Sequence, residues 1–187
     1  MFFTNWKKDL FTIPNLLSLF RLSLIPVYMT IYLEGSHLLA GGILALSCLT
    51  DLLDGWIARK FNMATEVGKF LDPLADKVTQ LSLAFCLSLR HPILQSVVLL
   101  LICKEAFQAA AGLYFLRRGM ILSGALPMGK ICTTVLFLSL TALVFMPRIS
   151  HDVVNFLALA DLIALSLSFL SYVQAYFCIE NTLKKME

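Results

Sequence analysis

Long apolar stretches recur six times along the chain, at roughly 14–33, 37–59, 69–89, 92–116, 126–146 and 153–178, with short polar breaks between them. Each is close to the ~20 residues that carry a helix across a bilayer. In lipid each stretch must be helical, because an unpaired backbone group there costs several kcal/mol. The pattern therefore predicts an all-α integral membrane protein with six transmembrane helices. These use nearly all of the 187 residues, which leaves one membrane domain, 1–187, with no soluble domain, linker or internal repeat. The opening MFFTNWKKDLF reads as a short interfacial helix within residues 1–12. There Phe2, Phe3, Trp6 and Phe11 can dip into the headgroups while Lys7 and Lys8 meet anionic lipid. It does not read as a signal peptide, since Arg21 interrupts the following apolar segment and no small-x-small cleavage site follows.

Composition agrees: 59% of residues are apolar, 14% are charged, and the mean hydropathy is +0.82. The net charge of +3 carries information about orientation. With the N-terminus inside, Lys7, Lys8, Arg59, Lys60, Arg117, Arg118, Lys184 and Lys185 all fall on the cytoplasmic side, and only Arg90 and Arg148 fall outside. This predicts a multi-pass protein of the cell (inner) membrane with both termini in the cytoplasm. No basic tract is dense enough for nucleic acid. The five cysteines, Cys48, Cys86, Cys103, Cys132 and Cys178, lie in or beside apolar spans without a CxxC pair, which suggests packing rather than zinc or disulfides.

Against this background, DLLDGWIARKFNMATEVGKFLDPLADK (51–77) places four Asp, one Glu and four bases in one short stretch. An Asp at the centre of a spanning helix costs about 2.5–3.5 kcal/mol, so four of them need bases, cations or the interface to offset them. Asp51 and Asp54 are three apart, and Asp72 and Asp76 four apart, so each pair shares a helix face. The break at 60–67 is short, which makes the two helices antiparallel neighbours with both pairs near the cytoplasmic end. Four convergent carboxylates suit hard divalent cations, Mg²⁺ or Mn²⁺, and a two-metal site fits such a cluster. Gly55 and Ala58 follow the two Asp by one turn and leave room for a ligand, while Gly68 permits close backbone approach. Arg59 and Lys69 flank the cluster and can hold phosphate oxygens. A spare carboxylate can take a proton from an attacking hydroxyl. The chemistry these residues fit is that of a phosphoanhydride.

The spacing Asp51-x2-Asp54-Gly55-x2-Ala58-Arg59-x8-Gly68-x3-Asp72-x3-Asp76 matches the signature of the CDP-alcohol phosphotransferase family, which the chain resembles along essentially its whole length. The resemblance implies a CDP-linked donor and two divalent cations, with Asp51, Asp54, Asp72 and Asp76 as metal ligands and Asp76 also as the general base. Thr50, Gly55, Ala58, Arg59 and Gly68 would frame the cytidine diphosphate. IPNLLSLFRLSLIPVYM and VGKFLDPLADK further resemble bacterial phosphatidylglycerophosphate synthases. That implies CDP-diacylglycerol as donor, glycerol 3-phosphate as acceptor, CMP as product and a homodimeric assembly. Asn15, Ser18 and Arg21 match an Asn-x2-Thr-x2-Arg motif of that branch.

Two positions depart from the branch. Lys104-Glu105 stands where Arg-Glu is usual, and GKICTT matches Gly-Lys-x-Lys-Thr at Gly129, Lys130 and Thr133 but has Cys132 for the second Lys. Lys for Arg loses a bidentate fork. These changes keep a cardiolipin synthase acting on phosphatidylglycerol in view. Asn15, Arg21, Lys104 and Lys130 are the acceptor-site candidates. Lys104 also has an ion pair with Glu105 open to it, Lys130 could snorkel, and Asp161 could bond a neighbouring helix. A divalent-cation carrier is the rival of another class, but the outer halves of the second and third spans, GGILALSC and SLAFCLSL, offer no polar route.

Overall fold

The computed structural model describes residues 12–61, 65–118, 127–146 and 148–184. Among these the regular structure is six helices: α1 (Ile13–Leu33), α2 (His37–Lys60), α3 (Glu66–Arg90), α4 (Leu94–Arg117), α5 (Pro127–Phe145) and α6 (His151–Lys184). The expected interfacial helix of 1–12 lies outside the described residues, apart from Thr12. Five helices are long and apolar enough to cross a bilayer, namely α1, α2, α4, α5 and α6. The expected third span, 69–89, is a helix of 25 residues, α3, but the charges in its first three turns keep it out of that set. At 34 residues α6 outruns its predicted span. It is about 50 Å long against about 30 Å of hydrocarbon, so it projects beyond the apolar layer.

Two compact units divide the chain, one reaching to Cys86 and the other starting at Leu87. In the first unit, α1 buries one narrow stripe: Pro14, Asn15, Ser18, Arg21, Ile25, Tyr28 and Tyr32. The spacing of three and four keeps these on a single face. The stripe is polar over its first two turns and apolar or aromatic over the rest. Leu16, Leu19, Phe20 and Val27 point outward, as lipid-facing residues should. Gly35 ends the helix at φ +87°, with Gly35 N–H donating to Tyr32 O and Ser36 N–H to Ile31 O. This is a Schellman stop, and its left-handed residue is where glycine is least costly. The chain thus reverses within three residues, and α2 packs back along α1. A small cavity beyond the polar part of α1 is lined by Tyr28, Ser47, Thr79 and Ser82 with apolar neighbours. The Tyr28 hydroxyl is buried, without a hydrogen-bond partner among the described residues. Removing such a hydroxyl removes its desolvation cost of about 1–3 kcal/mol. Tyr28→Phe should therefore melt no lower than the parent protein in detergent, and a loss of several degrees would show that Tyr28 has a partner.

In the second unit α6 packs against both α4 and α5. Its buried residues, Val154, Ala158, Asp161, Leu165 and Ser168, repeat in steps of four and three, a seam of coiled-coil type. On α5 the matching seam is Gly129, Cys132, Leu136, Ser139, Leu140 and Leu143, and on α4 it is Leu94, Val97, Leu101 and Lys104. Asp161 is fully buried, and its Oδ2 accepts the Ser139 hydroxyl at 2.6 Å. The lone carboxylate of the last span therefore ties α6 to α5. Of the five cysteines, Cys86 and Cys132 are buried, Cys48 is partly so, and Cys103 and Cys178 are exposed.

Candidate active site

The carboxylates of the 51–76 signature come together in the first unit, and the side chain they meet is Arg21 of α1. Nη1 lies 2.5 Å from Asp51 Oδ1 and 2.6 Å from Asp76 Oδ1, and Nη2 lies 2.5 Å from Asp54 Oδ2. Ser18, one turn earlier, has its Oγ 2.6 Å from Asp72 Oδ1 and 3.3 Å from Asp54 Oδ2. A hydroxyl has one proton, so it donates to the nearer Asp72. All four Asp are therefore reached by two adjacent residues of the α1 stripe. Helical spacing is the reason: Ser18 and Arg21 are three apart on α1, as Asp51 and Asp54 are on α2.

Burial separates the four. Arg21 is 2% exposed and Asp54 5%, whereas the side chains of Asp51 and Asp76 are 44% and 60% exposed. The cluster has a sealed floor, the Arg21–Asp54 pair, and an open rim. Asp76 is the carboxylate most accessible to an incoming hydroxyl. Five charged side chains with four negative and one positive leave the cluster strongly anionic, and Lys77 follows Asp76 directly in sequence.

The next residue of the stripe explains Gly68. Asn15 Nδ2 donates to Thr65 Oγ1 at 2.9 Å, and Thr65 Oγ1 also accepts the Gly68 N–H at 3.0 Å. Thr65 is thus the N-cap of α3, and Asn15 fastens that cap to α1. A Cβ on Gly68 would stand 2.7 Å from Asn15 Oδ1 and 3.2 Å from Thr65 Oγ1. Asn15 thus makes a close approach to Gly68. Gly68→Ala should lower stability by about 1–3 kcal/mol through overpacking. Thermal unfolding checks this, and an unchanged midpoint would mean that Asn15 can swing away freely.

The remaining donor candidates sit nearby on α2. Thr50 is buried and donates to Ser47 O at 2.7 Å, while Gly55 and Ala58 are half-buried. The side chains of Arg59 and Lys69 lie outside the described residues. The acceptor candidates divide between the units. Asn15 and Arg21 make the contacts above. In the second unit Lys104 is buried, pairs with Glu105 Oε1 at 2.7 Å and sits 5.9 Å from the centre of the Tyr172 ring. Lys130 is exposed at the start of α5. Beside it, a Cβ on Gly129 would stand 2.5 Å from the Tyr172 hydroxyl, so this glycine makes room for Tyr172. Cys132, which stands where the resembled branch has Lys, is 2% exposed within the α5 seam. Thr65 and Tyr172 are the two residues the sequence reading missed. An N-cap signal, Thr65 before Glu66, could have shown the first.

The donor set, four carboxylates, is all oxygen, the chemistry that a hard divalent ion takes. Among the described residues no three acidic, His or Cys side chains stand in ligand geometry around a common point, and the guanidinium occupies their convergence.

The model of the CDP-alcohol phosphatidyltransferase family matches residues 11–174. A CDP-diacylglycerol–glycerol-3-phosphate 3-phosphatidyltransferase of Aquifex aeolicus is 32% identical over 166 residues, 86% of this chain and 93% of the relative. The protein of that name from Escherichia coli K12 is 34% identical over 146 residues, 74% of this chain and 80% of its own. A cardiolipin synthase (CMP-forming) of Rattus norvegicus is 40% identical over 112 residues, 59% of this chain and 37% of the relative. A Mycobacterium tuberculosis protein named as a probable phosphatidylglycerophosphate synthase is 36% identical, with 55% of its length matched. The four Asp in register, the helices that carry them and a family match over most of the length agree, and the chain belongs to the CDP-alcohol phosphatidyltransferase family.

Proposed function

We propose that this protein transfers a phosphatidyl group from CDP-diacylglycerol to glycerol 3-phosphate, releasing CMP, at the cytoplasmic face of the cell membrane. The observation that carries the reading is the convergence of Asp51, Asp54, Asp72 and Asp76, in a family member whose long matches bear that activity in their names. The four Asp would hold two divalent cations, Mg²⁺ or Mn²⁺. Bound there, such ions neutralise phosphate charge and polarise phosphorus. Asp76, the most exposed of the four, takes the proton from the acceptor hydroxyl as its oxygen bonds to the phosphorus bearing the lipid. The bond from that phosphorus to the CMP oxygen breaks. Asp54 and Arg21 form the fixed floor. Arg59 and Lys69 hold the diphosphate, and Thr50, Gly55, Ala58 and Gly68 shape the nucleotide space. Basic residues flanking the spans support the cytoplasmic orientation, and a homodimer is the assembly we assign.

The cardiolipin synthase relatives support a second acceptor, phosphatidylglycerol, with the buried Cys132 in place of a base. The matches that run along most of the chain favour glycerol 3-phosphate. The test is CMP release from CDP-diacylglycerol by the purified protein with Mg²⁺ or Mn²⁺, offering each acceptor separately. Release with glycerol 3-phosphate alone supports the first reading. Release with phosphatidylglycerol alone replaces it by the second.

A further inference from the structure

Arg21 is an unusual neighbour for a metal site. Its guanidinium cannot lose its charge, it is 2% exposed, and it lies within hydrogen-bond distance of three of the four carboxylates. The two ends of the group have different surroundings. Nη2 holds Asp54, which is as buried as Arg21 itself. Nη1 is shared by Asp51 and Asp76, the two exposed carboxylates on the side open to solvent. Nε is buried without a hydrogen-bond partner among the described residues, so the group is held through its two Nη ends alone. A dication bound by the rim oxygens would compete with Nη1 for the same lone pairs and would repel it at close range.

We infer that Arg21 is a resident counter-cation: it keeps the carboxylates assembled before metal binds, then releases Asp51 and Asp76 to the metal while Nη2 stays on Asp54. This rests on the metal reading above. It makes Arg21 a positioning residue that sets metal affinity, distinct from the acceptor-phosphate role that the resemblance implies. Without the guanidinium, four carboxylates on neighbouring helices would repel one another in a site half shut from water. With it, the carboxylates are held together, at the cost of weaker metal binding.

The experiment compares the parent protein with Arg21→Gln, purified with Mn²⁺ present and then stripped. Thermal unfolding is followed in EDTA and in Mn²⁺, and Mn²⁺ binding is followed by electron paramagnetic resonance. In EDTA the variant should melt roughly 10 °C below the parent, as loss of one partner from a buried pair implies, and Mn²⁺ should restore most of the difference. Its Mn²⁺ affinity should rise at least about tenfold, because a competing charge is gone. Arg21→Lys, a point charge without the fork, should fall between the two. If Arg21→Gln unfolds in EDTA, Arg21→Lys, which keeps a charge against the buried Asp54 and leaves all four carboxylates, carries the same affinity test, with tighter Mn²⁺ binding than the parent expected. A parent that binds Mn²⁺ and variants that bind it equally or more weakly would overturn the counter-cation role alone. No Mn²⁺ binding by any of the proteins would overturn the metal reading and this inference together.

Discussion

Asp76→Ala should lower CMP release by about 10²–10⁴-fold, the usual range for loss of a positioned general base, and leave the melting temperature within a few degrees of the parent. The reason lies in the asymmetry of the cluster. Asp76 is 60% exposed, so its carboxylate is solvated and its loss strands no buried partner. Arg21 keeps Asp51 and Asp54 when Asp76 goes. The measurement is CMP release from CDP-diacylglycerol at saturating Mg²⁺ or Mn²⁺, alongside thermal unfolding of the same preparation. Because Asp76 also belongs to the metal set, the assay is repeated at rising metal concentration. Activity that returns with excess metal assigns Asp76 to metal binding alone, and activity that stays low assigns it the proton as well. Full turnover without excess metal would remove Asp76 from the reaction.

Asp54→Ala should abolish the same activity and also lower stability, by about 3–5 kcal/mol, the cost of breaking a buried ion pair by removing one partner. Asp54 and Arg21 are 5% and 2% exposed and meet at 2.5 Å. Without Asp54, Nη2 faces the protein interior with no hydrogen-bond partner, and only the two exposed carboxylates at Nη1 remain to balance the buried charge. For a chain of this size the change corresponds to a melting temperature lower by roughly 10 °C or more. Two Asp of one signature are thus expected to differ in what their loss removes: activity and stability for Asp54, activity alone for Asp76. Equal midpoints for Asp54→Ala and Asp76→Ala would contradict the sealed-floor, open-rim picture.

Much of this protein is legible in its order of residues. The apolar runs give the helices because lipid admits no other open-chain backbone. The Asp spacings give shared faces because a helix repeats every 3.6 residues. The short break after α2 lets Asp of α2 and of α3 reach one side chain, Arg21. The helices and the shared faces are local properties, set by residues within a few turns of one another. The third span shows the limit of an apolar count, since α3 has the length but carries its charges where the site needs them.

What sequence order leaves open is which face meets which. Asn15, Ser18 and Arg21 read as one polar stripe on α1, and that stripe alone does not say whether it awaits a substrate or another helix. The tertiary structure places it against Thr65 and the carboxylates, 30 to 55 residues away along the chain. Gly68 and Gly129 follow the same logic. Each is small because a side chain from a distant position, Asn15 or Tyr172, fills the space its Cβ would take. Asp161 stood open between a site and a tie until Ser139, 22 residues back, came within 2.6 Å. Spacing along one helix fixes direction and periodicity, and these the sequence determined by itself: the helices, the carboxylate faces and the family. Close packing between helices fixes partners, exposure and room, and only the fold decided that Arg21 stands among the carboxylates, that Asp54 is sealed and that Asp76 is open.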